Sequence, residues 1–254
     1  MSSVLFEAGQ DGIAIITINR PDQRNAVDLE VANGIAAAVD EFEERTDLAV
    51  AILTGAGGNF CAGLDLKAFT RGEIPMLPGR GFGGLTERPP VKPLLAAVEG
   101  WAVAGGFELA LSADLMVAAR DANFGLPEVR RGLVAGAGGL VRLPKVLPYH
   151  LAMELALTGE PLPAATAHRH GMISVLTEPG DALAAARELA RKIAANGPLA
   201  VRVSKRIVAG AVGYRDTDAF PDQQALVDQV VASADALEGA RAFAEKRRPS
   251  WTGA

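Results

Sequence analysis

Residues 94–119 read LLAAVEGWAVAGGFELALSADLMVAA. The stretch opens on an apolar run, Leu94–Glu99, that fits a buried strand. Gly105-Gly106 then opens a run over Phe107–Ser112 that reads as a helix, and Asp114–Ala119 is a second buried strand. Strands alternating with helical runs predict an α/β core.

Outward from this stretch the pattern persists. Gly12–Asn19 (GIAIITIN) is apolar and β-branched and reads as a strand stopped by Arg20-Pro21. Asp28 is placed to cap a helix in which Val31, Ile35, Val39 and Phe42 recur at helical spacing. Leu48–Thr54 is a buried strand ended by Gly55-Ala56-Gly57-Gly58. Downstream, Asn123–Glu128 reads as a loop, Gly132–Gly139 is glycine-rich, a helix fits His150–Thr158, and Ile173–Leu176 is a short strand. Only helices follow. Asp181 is expected to cap one running to Ala195, and others fit Leu199–Ala211, Pro221–Ala232 and Asp235–Arg247, the last with Asp235 and Glu238 at capping-box spacing. Arg71–Pro93 is a long irregular segment rich in Gly and Pro; such loops in compact domains are commonly functional.

The composition sets bounds on function. One cysteine, Cys61, forbids an intrachain disulfide and fits a reducing cytoplasm. The first residues show no signal-peptide pattern, and no apolar run approaches the ~18 residues of a membrane span. A net charge of −5 argues against nucleic acid as partner. Three histidines leave little for a metal: His168 and His170 stand two apart, which does not share a helical face.

Chemistry concentrates at two glycine-flanked points, Cys61–Leu66 (CAGLDL) and Ala104–Glu108 (AGGFE). Each follows a strand, and the second enters a helix, whose first backbone N–H groups lack internal partners. Two such amides that converge would hold a developing oxyanion. The same glycines serve equally for tight turns or close packing. Glu108 falls in an apolar run (FELALSA) and Glu128 follows a proline; a carboxyl in apolar surroundings suits proton transfer near neutrality. A helix-capping Glu108 and a solvated Glu128 fit the same pattern. Cys61 reads as a small buried residue rather than a nucleophile.

In order and spacing, ITINRPDQRNAVD, AVAILTGAGGNFCAGLDLKAF, KPLLAAVEGWAVAGGFELALSADLMVAA, FGLPEVRRGLVAGAGG and EGARAFAEKRRPSWTG resemble the crotonase, or enoyl-CoA hydratase, superfamily, from about Ile15 to Trp251. The resemblance implies a spiral of repeated ββα units over residues 1–196 and a C-terminal helical region, 197–254, that mediates assembly into a homotrimer or a dimer of trimers. It implies an acyl-coenzyme A substrate and no metal or redox cofactor. The amides of Leu64 and Gly105 match the oxyanion donors, and Glu108 and Glu128 the acid/base pair. Ala62, Leu64, Asp65, Leu66 and Lys67 match the coenzyme-lining segment; Arg24 is matched to the phosphates, and Phe107 and Gly105 to the acyl pocket. A cation of the Lys246–Arg248 cluster has a further family precedent for coenzyme phosphates. With both glutamates retained, hydration of an enoyl thioester leads. Carnitinyl-type dehydration, suggested by LVRLPKVLPYHLAMELALTGE, and double-bond isomerisation stand as alternatives, as does a non-catalytic acyl-CoA-binding subunit. Ala104 stands where hydratases commonly carry glycine, Phe107 where a small residue is frequent, and Ala135 where proline is frequent. The Arg71–Pro90 segment is expected to border the acyl pocket.

Overall fold

The computed structural model describes residues 2–211 and 216–253, with backbone only over 216–222. The chain begins with a hairpin, β1 (Val4–Ala8) antiparallel to β2 (Ile13–Ile18). Helix α1 (Leu29–Glu44) follows. The Asp28 carboxylate caps it by accepting from the Val31 amide at 3.0 Å. Val31, Ile35, Val39 and Phe42 are all buried along one face, as their spacing predicts. Next come β3 (Val50–Gly55), a single helical turn α2 (Leu66–Phe69), and a small hairpin of β4 (Met76–Leu77) and β5 (Gly81–Phe82). Then β6 (Leu94–Val98), β7 (Trp101–Val103) and α3 (Gly105–Ala110) form one unit. A second unit has β8 (Leu115–Ala119), β9 (Asn123–Gly125), a 3-10 turn over Pro127–Arg131 and α4 (Gly139–Val146). The remainder is α5 (Tyr149–Thr158), β10 (Leu162–Pro163), α6 (Ala164–Arg169), β11 (Val175–Thr177) and helices α7 (Ala182–Ala194), α8 (Pro198–Ala211), α9 (Asp216–Val231) and α10 (Ala234–Ala244).

The strands make a spiral. One sheet has the order β1-β2-β3-β6-β8-β11, with every pair from β2 onward parallel. A second sheet pairs β7 with β9 in parallel, and Cys61 bridges to Ala102 of β7 in the same sense. Each turn therefore lays one strand in the large sheet, one short extended segment in the second stack, and then a helix or 3-10 turn. The segments Phe60–Cys61, β7 and β9 are successive steps of that second stack.

Strand alternation divides the core. Val50 and Ile52 of β3, with Ile13, Leu95, Ala97 and Val117, face α7, where Ala182, Ala186 and Ala190 recur every fourth residue and are fully buried. Ala51 and Leu53 face the larger cluster with Phe42, Phe60, Phe107 and Phe124. Alanines at that spacing allow the helix axis close to the sheet. Trp251 donates its indole N–H to the Ala195 carbonyl, which ties the end of the chain to the end of α7.

Some expectations are corrected. Asn123–Gly125 is a strand rather than loop, and β1 and α4 add elements that the sequence pattern does not flag. The Asp181 side chain makes no cap; Glu99, which follows β6, reaches over to accept from the Gly180 and Ala182 amides at 3.0 and 2.9 Å. Ser233, not Asp235, caps α10 through the Ala236 amide. Asp235 instead accepts from the amides of Thr252 and Gly253 near the C-terminus.

The junction from β7 into α3 is strained. Ala104 takes φ 52°, ψ −133°, a conformation that suits glycine, while its amide is held by the Gly125 carbonyl and its own carbonyl by the Glu108 amide. Such strain costs about 1–3 kcal/mol, and glycine would return about 0.4–1 kcal/mol of it through the freer unfolded chain. Ala104→Gly is therefore expected to stabilise the fold by about 1 kcal/mol, read as a higher urea midpoint with unchanged slope; an unchanged or lower midpoint would show that the turn carries no net strain.

Candidate active site

The site forms where successive turns of the spiral leave the second stack. After Cys61 the chain turns at Gly63 (φ 85°) and presents Leu64. One turn on, β7 passes through Ala104 into α3, whose first residue is Gly105. A Cβ built on Gly63 would sit 3.0 Å from the Gly105 nitrogen and 2.9 Å from the Val103 carbonyl, so the two turns are in van der Waals contact and only glycine fits. Among the described residues neither the Leu64 nor the Gly105 amide donates to a protein group. Gly105 is the first residue of its helix, where an amide has no internal acceptor. Two adjacent free donors can hold a single carbonyl oxygen.

Leu64 and Gly105 both line a cavity of about 880 Å³ together with Glu108 and Glu128. Glu108 lies one helical turn past Gly105, on the same face of α3. It is buried, and its Oε1 accepts from the amides of Ala137 and Gly139 at 2.7 and 2.8 Å. Those amides come from the glycine-rich run that opens α4. Burial raises the Glu108 carboxyl above its usual range, while the two amides and the nearby Arg142 pull against that rise. Glu128, on the 3-10 turn after β9, has the opposite surroundings. Its Oε2 is buried without a hydrogen-bond partner. Burial pushes its carboxyl up to about 7, with the negative charge of Glu108 adding to the rise and Arg131 opposing it. One site thus holds two acids, one saturated with donors and one starved of them.

The NRPDQRNA segment supplies the rim. Arg24 and Asn25 are both left-handed (φ 49° and 57°), and fully buried Asn25 donates to the carbonyls of Ala56 and Asn59 at 2.8 and 2.7 Å while accepting from the Arg20 amide at 2.9 Å. The Arg24 carbonyl accepts from the Ala62 amide at 3.0 Å. Arg24, Ala62, Leu64 and Leu66 all line the cavity.

Three expected residues do not. Asp65 caps α2 through the Lys67 and Ala68 amides and pairs with Arg20 at 3.0 Å; that arginine also holds Asp28 at 3.0 Å. Lys67 is exposed and lies outside the cavity lining. Phe107 is fully buried in the core, its ring centroid 5.3 Å from that of Phe124, because it points about 100° around α3 from Glu108. Conversely, Ile74, Pro75, Met76 and Phe82 from the Arg71–Pro90 segment line the cavity, as that segment's expected position requires. The donor amides of Ala137 and Gly139 went unassigned in the sequence; the GAGG run that carries them was the available signal.

The remaining candidates are structural. Cys61 is fully buried and its thiol is pushed up to about 12 by that burial, so it is no nucleophile. His168 Nδ1 lies 2.9 Å from the Ile173 carbonyl. Among the described residues no three His, Cys, Asp or Glu side chains gather in a group that could hold a metal ion, and no helix is long and apolar enough to cross a membrane. Arg247 of the C-terminal basic cluster is engaged by Glu238 at 2.6 Å and Glu245 at 2.6 Å.

Comparison with known proteins agrees with this geometry. The Enoyl-CoA hydratase/isomerase family profile matches residues 8–254. A protein of Salmonella typhi named carnitinyl-CoA dehydratase is 40% identical over the full length of both chains. Among solved structures, an enoyl-CoA hydratase from Mycobacterium tuberculosis H37Rv is 59% identical, superposes with a TM-score of 0.97 and covers both chains entirely. A carnitinyl-CoA hydratase from Mycobacterium avium is 42% identical with a TM-score of 0.80, again over both full chains. With its spiral architecture and a family match across nearly its whole length, the chain belongs to the enoyl-CoA hydratase/isomerase family.

Proposed function

We propose that this enzyme adds water across the 2,3 double bond of an enoyl-CoA thioester, and removes it in reverse. The observation that carries the reading is the pair of free amides, Leu64 and Gly105, beside two carboxyls in opposite surroundings. The thioester carbonyl accepts from both amides, which polarises the conjugated double bond and stabilises the enolate formed as water reaches C3. Glu108, held by the Ala137 and Gly139 amides, orients that water and takes its proton. Glu128, whose carboxyl sits near 7, holds the same water and donates a proton to C2. Arg24, Ala62, Leu64 and Leu66 border the coenzyme end. No step of this scheme uses a metal or redox cofactor.

The cavity supports an uncharged acyl group. Among the described residues its only lining acids are Glu108 and Glu128, and its other charged lining residues are Arg24, Arg130 and Arg131. A quaternary-ammonium acyl group of the carnitinyl kind would find cations there and no carboxylate beyond the catalytic pair. Residues 1–196 we read as the catalytic core and 197–254 as the region of assembly into a trimer or a dimer of trimers; the outward Val208, Val231 and Phe243, the last 88% exposed, support a covered face. The single buried Cys61 fits a cytoplasmic setting.

Loss of the conjugated enoyl-thioester ultraviolet absorbance is the test. Wild type should hydrate crotonyl-CoA, a medium-chain or a bulky enoyl-CoA, and Glu108→Gln and Glu128→Gln should each lose about a hundredfold or more in kcat. Wild type inert on all three, yet still binding coenzyme A esters, would overturn the hydratase reading in favour of isomerisation or simple binding. In the same assay an uncharged enoyl-CoA should exceed its 4-trimethylammonium analogue in kcat/KM by about tenfold or more, equivalent to about 1.4 kcal/mol; the reverse order would favour the carnitinyl-type reaction.

The elevated Glu128 carboxyl also makes a stability prediction. A native carboxyl above its unfolded value holds a proton that the unfolded chain has released. Its ionisation therefore costs stability as pH rises from about 4.5 toward 7, and the full cost is present above that. Glu128→Gln should melt at a higher temperature than wild type at pH 8, and the difference should vanish near pH 4.5. An equal Tm at pH 8 would place Glu128 in ordinary solvent.

A further inference from the structure

Among the described residues Arg142 is the half-buried cation that acts on Glu108, and the proposed reaction gives it no part. It sits on the first turn of α4, the helix whose Gly139 amide holds Glu108. Its Nη1 lies where a side chain on Gly138 would begin: a Cβ there would be 2.2 Å away. Gly138 (φ 101°) is thus both the left-handed cap of α4 and the floor under the guanidinium. Its Nη2 donates to the Thr86 carbonyl at 2.5 Å. Thr86 is buried, and its hydroxyl accepts from the Phe82 amide at 2.9 Å. The Phe82 ring lies against Gly105, where a Cβ would meet Cε1 at 2.4 Å. A continuous path of contacts thus runs from the helix that holds Glu108, through the wall segment, to the residue that carries the second free amide.

We propose that Arg142 is a positioning residue of this site: it clips the Phe82–Thr86 wall onto α4, so that Phe82 backs Gly105, and it presents a permanent positive charge to the Glu108 carboxylate. The inference rests on Glu108 serving as the base of the proposed reaction. The charged and polar groups around Glu108 are few. From α4 and the run before it come Arg142 and the amides of Ala137 and Gly139, and from the 3-10 turn come Glu128 and, beyond it, Arg131. Burial raises the Glu108 carboxyl; the Gly139 and Ala137 amides oppose that rise, and the Arg142 charge adds to their effect, since a guanidinium cannot lose its proton to escape burial. No acidic side chain pairs with Arg142 among the described residues, so its charge is not spent elsewhere.

Two variants separate charge from tether. Arg142→Lys keeps the charge, and Arg142→Gln keeps a donor for Thr86 without it. The direct readout is the titration of the Glu108 carboxyl by carbon-13 NMR, assigned by its loss in Glu108→Gln; this needs no turnover and stands even if the hydratase reading fails. Arg142→Gln should move that titration upward, with Arg142→Lys close to wild type. If the enzyme hydrates enoyl-CoA, the acid limb of kcat/KM should move with it, while Arg142→Lys, with the tether weakened, should raise KM more than it lowers kcat. Unmoved Glu108 titration in a folded Arg142→Gln protein overturns the electrostatic part. Unchanged KM in Arg142→Lys overturns the clip. A normal NMR shift with no hydration by wild type overturns only the hydratase reading.

Discussion

The site depends on the lateral spacing of parallel strands. Adjacent strands lie about 4.8 Å apart, and the second stack sets Cys61, β7 and β9 side by side in the same direction. The residue that leaves each segment therefore lands one strand spacing from its neighbour's. Leu64, Gly105 and Glu128 all leave that stack at its C-terminal end, on three successive turns. Residues far apart in sequence thus meet at fixed distance without any long side chain reaching for another. The cost falls on backbone conformation: Gly63 must be glycine because its neighbour's backbone touches it, and Ala104 bears a turn better suited to glycine.

The wall opposite this row is held by the same means. The Gly81–Gly84 run is confined from both sides: a Cβ on Gly83 would strike Leu109 of α3, and one on Gly84 would strike the Ala32 carbonyl of α1. What the sequence presents as a loose Gly/Pro segment is wedged between two helices, with glycine used for close approach rather than flexibility. Phe82 is the product of that wedge, a rigid ring at the mouth of the α3 helix.

How much of this was legible follows from range. Strands β2, β3, β6 and β8 are apolar on successive positions because both faces are buried, and that pattern is visible locally. The strand β9 is three residues, Asn-Phe-Gly, with one apolar side chain, and nothing local separates it from a loop. Helix α4 starts in glycines and contains Pro144, so its sequence argues against it; the Glu108 carboxylate at its first amide and the Arg142 contact with Thr86 are tertiary gains that override propensity. The cap of α7 comes from Glu99, some eighty residues upstream, and no window could contain it. The glutamates and the two glycine-flanked turns were visible locally as candidates, and only the ordered motifs of the family assigned them roles. Asp65, Lys67 and Phe107 lie outside the cavity lining, because a motif carries residue identity but not side-chain direction.

The two acids show why direction matters more than residue type. Glu108 and Glu128 are chemically alike and line one cavity, yet two amides and a guanidinium surround the first while the second keeps a buried oxygen without a donor. A carboxylate that receives donors is stabilised as an anion, which is what a base requires; one without them is stabilised as the neutral acid, which is what a proton source requires. The donors to Glu108 all come from α4 and the run before it, so the position of that helix sets the difference between the two groups. The element least supported by its own sequence is therefore the one on which the contrast between the two carboxyls depends.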